Sequence, residues 1–129
     1  MGACAAPRQG EQIRHTEIGT ASHYAERFAG RKTASGQIYR PDLLTAAHRT
    51  LPMGTRLRVT RIDKMGHVVA GPIIVVVNDR GPYAHGRIID LSSEAARRLG
   101  LYGTIGRVRI EVLEPPPAPP VAGKPIDKP

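Results

Sequence analysis

Apolar and polar residues alternate with a period of two in several short segments, which is the pattern of a β-strand with one buried face. Six strands are predicted, over residues 20–24, 44–47, 55–62, 68–77, 87–91 and 106–113. In the third of them, Leu57, Val59 and Ile62 are expected to face inward. The dipeptide Gly71-Pro72 interrupts the fourth strand, so a bulge or an edge position is expected there.

One segment has the signature of a helix. It begins with Ser92 and Ser93, either of which can cap a helix N-terminus, and it runs to Leu99, after which Gly100 is a stop signal. Six short strands and one helix over so short a span favour a small closed β-barrel over a sandwich.

The two ends of the chain differ in composition from this middle section. Residues 1–16 are polar and show no periodic apolar pattern, so an N-terminal tether is expected there. From Pro115 onward the sequence reads PPPAPPVAGKPIDKP, a composition that favours extended polyproline II and predicts a tail over residues 115–129. The folded domain is therefore expected to span residues 17–114.

Composition excludes several classes of protein. The 129 residues suffice for one domain, and no apolar run approaches the roughly 20 residues of a membrane-spanning helix. With one Phe, four Tyr and no Trp, the chain lacks the aromatic platforms that bind single-stranded nucleic acid. The net charge of +8 favours a polyanionic partner such as an acidic cell-wall polymer, although general solubility explains it equally well.

The single cysteine, Cys4, excludes an internal disulfide framework and a multi-cysteine metal site. It follows Gly2 and Ala3, and Gly-Ala-Cys is how a bacterial lipoprotein signal ends, with the cysteine acylated. The charged and apolar regions of such a signal do not precede it here. Two interpretations stay open, a lipid anchor at Cys4 or a chance cysteine in a terminal segment.

Polar and ionisable residues cluster where apolar strands meet Gly/Pro turns, which is a favoured place for catalytic side chains on a rigid scaffold. The first cluster joins TASGQIY at residues 33–39 to LTAAHRTLPMGT at residues 44–55. The second joins VNDRGPY at residues 77–83 to GRIIDLS at residues 86–92.

Taken together, these segments resemble the rare lipoprotein A (RlpA) family of peptidoglycan lytic transglycosylases. The matching motifs occur in order over residues 19–113 and are ASHY, FAGR, TASG, LTAAH, TLP, NDRGP and RIIDLS. The resemblance implies a mainly β fold, a six-stranded double-psi β-barrel with one short helix, shared with expansins and barwin. It also implies a lyase that cuts glycan strands lacking stem peptides and leaves 1,6-anhydro-muramic acid ends.

The resemblance further implies that Asp79 is the catalytic carboxylate and His48 its partner. A carboxylic acid protonates the leaving oxygen of a glycosidic bond, and in a lytic transglycosylase the 6-hydroxyl of the muramic acid attacks the anomeric carbon, so one carboxylate suffices. His48 would orient Asp79 or hold a substrate hydroxyl. Asp79 also has a structural interpretation, as a turn residue that caps its own backbone. Further substrate contacts are assigned to Tyr24, Gln37, Asn78, Arg80 and Tyr83.

Two departures from the family pattern keep a second function open. Gln37 stands where the family usually has a Glu implicated in activity, and Gln forms hydrogen bonds but cannot ionise. Arg40 replaces an expected acidic residue and makes the groove more positive. The alternative is therefore a non-catalytic, expansin-like module that binds peptidoglycan.

The remaining expectations concern partners and location. No cofactor is implied, and the spacing of the histidines does not suggest a metal site. Asp90 is interpreted as a structural residue that serves the nearby helix N-terminus. We expect a monomer that binds peptidoglycan glycan strands and not nucleic acid. It would act in the periplasm, anchored to the outer membrane if Cys4 is acylated.

Overall fold

A computed structural model gives the structure of residues 13–24 and 28–113. In chain order its elements are β1 (Ile13–His23), β2 (Thr45–Ala47), β3 (Arg56–Ile62), β4 (Val68–Asp79), β5 (Arg87–Leu91), α1 (Ser93–Leu99) and β6 (Gly106–Leu113). The strands close into a barrel in the order β1-β5-β2-β4-β3-β6. The pairs β1/β5 and β2/β4 are parallel and the other four are antiparallel. This confirms the predicted six-stranded barrel with one short helix in the described part of the chain.

Apolar side chains from alternate positions of the strands fill the interior of the barrel. Leu57, Val59 and Ile62 are buried, as expected from their spacing on β3. A fully buried side chain of this size contributes about 1.5–3 kcal/mol to folding, so the inward faces of the strands supply most of the stability of the domain. They also fix the strand ends at which the polar clusters lie.

The dipeptide Gly71-Pro72 forms a bulge in β4. Val59 pairs with Ile73 whereas Arg61 pairs with Ala70, so β4 holds one residue more than β3 across this interval. Gly71 has φ +91°, and a Cβ built there would lie 3.0 Å from the carbonyl oxygen of Val59. A side chain here would be strained, so the position favours glycine. The expected bulge is confirmed, and among the described strands this stretch of β4 pairs with β3 alone, because β2 pairs with β4 only from Val76 to Asp79.

Helix α1 begins and ends at the residues predicted from the sequence, with a serine cap at its N-terminus and a glycine at its C-terminus. Ser92 is the N-cap and accepts the backbone N–H of Ala95, while Gly100 ends the helix in the left-handed conformation. The Ser92 hydroxyl also donates to the carbonyl of Leu43 at 2.6 Å, which ties the helix to the preceding loop. Across residues 13–24 and 28–113 no helix has the length and apolarity needed to cross a membrane.

The expected N-terminal boundary is wrong. Residues 13–16, assigned to a tether, lie in β1, which pairs with β6 from Ile13 opposite Leu113 to Ala21 opposite Gly106. Strands pair through backbone hydrogen bonds, which form whatever the side chains are. Residues 13–16 could therefore join β1 without showing the apolar alternation from which strands were predicted. Residues 1–12 and 114–129, with Cys4 and the predicted tail, lie outside the described residues.

Candidate active site

Asp79 is the last residue of β4, and its carboxylate accepts three hydrogen bonds. The Tyr24 hydroxyl donates to Oδ2 at 2.7 Å, and the backbone N–H groups of Ala34 and Arg80 donate to Oδ1 at 2.9 and 2.8 Å. The Arg80 contact is the self-capping expected of a turn residue. The other two donors come from distant parts of the sequence, so the fold holds this side chain in a fixed orientation.

The loop over residues 33–37 lies against the end of β4 and supplies one of those donors. Thr33 closes the loop through its backbone N–H and its hydroxyl, which donate to the carbonyl of Gln37 at 2.7 and 3.0 Å. The backbone N–H of Ser35 donates to the carbonyl of Asn78 at 3.2 Å. This docking explains the TASG motif, because the short turn aims a backbone N–H at the carboxylate.

Tyr24 supports Asp79 from the other side. Its ring packs edge-on against Tyr39 and tilted against Phe28, with centroids 4.7 and 5.1 Å away. Burial raises the pKa of the Tyr24 phenol above its ordinary value, and so do the hydrogen bond to Asp79 and the negative charges of Asp79 and Asp90. The phenol therefore stays protonated near neutral pH and remains a donor to Asp79.

Asp79 lines a small cavity that lies beside a groove on the barrel surface. The cavity is lined by Tyr24, Tyr39, Thr45, Ala46, Ala47, Asn78, Asp79, Asp90 and Ser92. The groove shares Thr45 and Asn78 with it and continues past Gln37, Ile38, Arg40, Leu43, Leu44 and Val76. Of these, Ile38, Leu43 and Val76 expose apolar surface. The open shape and the mixture of polar and apolar groups suit an extended ligand.

Asp90 lines this cavity, and its expected electrostatic role at the helix N-terminus stays a prediction. It pairs with Ser22 of β1 and with Ala47 of β2, and Ala47 in turn pairs with Asp79. The Ser22 hydroxyl donates to its carboxylate. The alternation of residues along β5 indicates this placement. Ile89 and Leu91 are buried in the barrel, so the Asp90 side chain between them lies on the opposite face of the strand.

His48 follows β2, and its ring is 5% exposed. Its Nδ1 accepts the backbone N–H groups of Thr50 and Leu51, each at 3.2 Å, and its Nε2 lies 3.3 Å from Oε1 of Glu17. Among the described residues the ring makes no hydrogen bond to Asp79. The two residues are linked through the backbone instead, since the His48 N–H donates to the Asp79 carbonyl at 3.1 Å. The expected contact from the ring is thus replaced by a backbone contact, and the catalytic role of His48 stays a prediction.

Glu17 is a residue that the sequence reasoning missed. It lies on β1 and its carboxylate contacts two histidine rings, His48 through Oε1 and His15 through Oε2 at 2.9 Å. Burial works to raise the pKa of Glu17, but the hydrogen bonds and charges of His15 and His48 outweigh it and hold this pKa below its ordinary value. In the described ranges no group of three or more His, Cys, Asp or Glu side chains is arranged to hold a metal ion.

The remaining residues predicted to contact substrate differ in where the structure places them. Gln37 and the buried Asn78 line the groove, so both are placed to meet a ligand. Nη1 of Arg80 donates to the carbonyls of His48 and Leu51 at 3.2 and 2.7 Å, which gives this side chain a structural task. Tyr83 is 75% exposed and lines neither the cavity nor the groove. Substrate contacts by Arg80 and Tyr83 stay predictions.

Comparison with known proteins gives a family and a fold. A family model described as "Lytic transglycolase" matches residues 16–112. The endolytic peptidoglycan transglycosylase RlpA of Pasteurella multocida (strain Pm70) is 52% identical over 97 residues, which cover 74% of this chain and 31% of that protein. The probable endolytic peptidoglycan transglycosylase RlpA of Nostoc sp. (strain PCC 7120) is 48% identical over 109 residues, which cover 82% and 28%. Apo expansin of Clavibacter michiganensis superposes with a TM-score of 0.60 at 26% identity, covering 81% of this chain and 54% of that one. The chain spans less than a third of the length of these two curated relatives.

Proposed function

Because the chain belongs to the lytic transglycolase family of β-barrel domains, we propose that it is an endolytic peptidoglycan transglycosylase. One observation carries the proposal. The Asp79 carboxylate is held by three hydrogen bonds in a small cavity that shares Thr45 and Asn78 with an open groove, and a polymer in that groove would pass beside it. The relatives named RlpA support the same activity.

Asp79 supplies the proton transfers of the proposed reaction. In its acid form it gives a proton to the glycosidic oxygen as the bond from C1 to that oxygen breaks. The 6-hydroxyl of the same muramic acid attacks C1, and its proton passes to the Asp79 carboxylate. The carboxyl group is restored and the product carries a 1,6-anhydro ring, so neither a water molecule nor a second carboxylate is consumed. The Tyr24 hydroxyl stabilises the carboxylate between the two transfers.

The groove holds the glycan strand in this proposal. Ile38, Leu43 and Val76 offer apolar surface to the C–H faces of the sugars, and Gln37 and Asn78 offer hydrogen-bonding groups. Gln37 needs only to bind a sugar hydroxyl, because Asp79 makes both proton transfers. Following the family resemblance, the proposed substrate is a strand without stem peptides.

The proposal extends to location. A glycan-cutting enzyme would meet its substrate in the periplasm, and Gly2-Ala3-Cys4 resembles the end of a lipoprotein signal. We expect a monomer there, with acylation of Cys4 as the anchor to the outer membrane. Labelling of cells with an alkyne fatty acid tests the anchor. The wild-type protein should take up the label and Cys4→Ala should not, whereas an unlabelled wild type refutes acylation.

A non-catalytic wall-binding module is the second candidate. Gln37 favours it, because this residue cannot exchange a proton and lies in the groove. The structural likeness to an expansin is compatible with it.

A digest of peptidoglycan glycan strands that lack stem peptides separates the two candidates. With mass spectrometric detection, the enzyme should release fragments with anhydro ends, and Asp79→Asn should reduce their rate by at least about a hundredfold. Asp63→Asn is a matched control, since this carboxylate accepts backbone N–H groups in the turn between β3 and β4 and lines neither the cavity nor the groove. A folded wild-type protein that pellets with the strands but releases no fragments would establish the wall-binding module.

A further inference from the structure

We propose that Glu17 is a positioning residue, which holds the His48 ring and thereby keeps the 48–51 loop (residues 48–51) against the Asp79 backbone. The inference rests on the proposed function, and it assigns His48 a role through its hydrogen bonds and not through proton transfer.

Glu17 faces into the barrel. Its cross-strand neighbour on β6 is Ile110, which is fully buried, and opposite residues of an antiparallel pair share a face of the sheet. The Glu17 side chain is 28% exposed, so it reaches the barrel rim, where it meets the ring of His48. A carboxylate on the inward face is costly unless it is paired. The two imidazoles that contact it supply that pairing.

The tautomer of His48 follows from its partners. Nδ1 accepts the backbone N–H groups of Thr50 and Leu51, so this nitrogen carries a lone pair and no proton. The ring proton therefore sits on Nε2 and is donated to Oε1 of Glu17. Glu17 thus fixes the direction of the ring, and the ring in turn fixes the two backbone N–H groups of the 48–51 loop.

The same loop contacts the backbone of the catalytic residue. The His48 N–H donates to the carbonyl of Asp79, and the carbonyls of His48 and Leu51 accept from Nη1 of Arg80, the next residue along. The first and the last residue of the loop, His48 and Leu51, are therefore hydrogen-bonded to Asp79 and Arg80. If the ring turned away, both attachments would loosen and the Asp79 carboxylate would shift relative to the groove.

The ring itself is not placed to move a proton. It is 5% exposed, and both of its nitrogens already have partners among the described residues. Its link to Asp79 is made by the backbone and not by the ring. These contacts therefore support a role in which His48 positions the loop and does not transfer a proton.

Substitutions at Glu17 separate position from charge. Glu17→Gln keeps an oxygen that accepts the His48 proton and should retain activity within about threefold, whereas Glu17→Ala should lower kcat by about 10- to 100-fold with little change in KM. Glu94→Ala is a matched control, because this Glu also forms ion pairs but lies on α1 outside the site. Equal activity of Glu17→Ala and wild type, or an equal loss in both Glu17 variants, would overturn the inference.

Substitutions at His48 give a test that does not depend on the folding of Glu17→Ala. Asn places an oxygen near the position of Nδ1 and keeps the acceptor for the loop, whereas Gln reaches toward Glu17 and leaves the loop without an acceptor. His48→Asn should retain at least about tenfold more activity than His48→Gln. In the His48→Asn background Glu17→Ala should cost nothing further, because the two residues act as one unit. Complete loss of activity in both His48 variants would contradict a positioning role.

A measurement free of catalysis distinguishes failure of this inference from failure of the proposed function. Nitrogen-15 NMR should show the Nε2–H tautomer of His48, and hydrogen exchange at the Thr50 and Leu51 amides should accelerate in Glu17→Ala by at least about tenfold. If the wild-type protein releases no anhydro ends while these amides respond as expected, the proposed function fails and the contact stands. Unchanged exchange in an active enzyme refutes the inference.

Discussion

At the scale of residues, the site is built from a carboxylate and the groups that hold it. Asp79 receives hydrogen bonds from Tyr24, from the loop over residues 33–37 and from its own turn. Preorganised donors of this kind need not rearrange when charge develops during a reaction. The chemistry assigned to one side chain therefore depends on several others that take no part in proton transfer.

Tyr24→Phe removes one of these donors and keeps the packing of the ring against Tyr39 and Phe28. A preorganised donor to a catalytic group acts on the rate, so we expect kcat to fall by about 10- to 100-fold. The lost hydrogen bond to a charged group also lowers the free energy of unfolding by up to about 1.5–3 kcal/mol, so the Tm should fall while the variant stays folded at the assay temperature. Initial rates of anhydro-end release and a thermal melt check this together. A variant with wild-type kcat would show that the Tyr24 hydroxyl is dispensable.

Glu17 makes the stability of the domain depend on pH. Its pKa in the folded protein lies below the ordinary value of 4.5, so the unfolded state binds the proton more readily. The resulting stabilisation is fully present above pH 4.5 and is lost as the pH falls through the lower pKa of the folded state. We expect wild type to melt at a higher temperature than Glu17→Gln at pH 7, and the difference to close toward pH 3. A difference that grows on acidification would contradict the assignment.

At the scale of elements, two parallel strand pairs bring the ends of β1, β5, β2 and β4 to one side of the barrel. The pairing runs from Ser22 to Asp90, then to Ala47 and on to Asp79. Neighbouring strands lie about 4.8 Å apart, so residues that are distant in sequence meet within one cavity. The bulge at Gly71 lets β4 keep its pairing with β3 on the way to this position.

The bulge predicts a specific cost of substitution. Gly71→Ala places a Cβ 3.0 Å from the Val59 carbonyl oxygen at a positive φ, and we expect it to lower the free energy of unfolding by about 1–3 kcal/mol. Gly66 has nearly the same φ with no atom within 4 Å of a built Cβ, so Gly66→Ala isolates the backbone contribution and should cost less. Urea denaturation of both variants measures the difference. An equal cost at the two positions would show that the contact at the bulge is unimportant.

At the scale of the whole molecule, the barrel and its elements follow from periodicity, but the site follows only in part. Strand alternation and helix capping predicted the β-strands and α1, and the motifs pointed to Asp79 and to the groove residues Gln37 and Asn78. The start of β1 was missed because its polar residues are paired through the backbone. The pairing of Glu17 with His48 spans 31 positions of sequence, and no local pattern encodes such a contact.

Net charge gives a prediction at the same scale. The chain carries +8, and a positive surface attracts acidic wall polymers at a range set by screening. Raising the ionic strength from about 0.01 M to about 1 M shortens the Debye length from about 30 to about 3 Å. We expect the fraction of protein that pellets with cell-wall material to fall across this range. Pelleting that is insensitive to salt would assign binding to the groove alone.

The central claim is that Asp79 directs attack by the substrate's own 6-hydroxyl. The most direct test is a digest of glycan strands lacking stem peptides in water enriched in oxygen-18, with an Asp79→Asn control. The account predicts fragments that end in anhydro-muramic acid, each lighter by one water than a hydrolysis product and free of the heavy isotope, and absent from the control. Reducing ends that carry oxygen-18 would contradict it, because they would show that water is the attacking group.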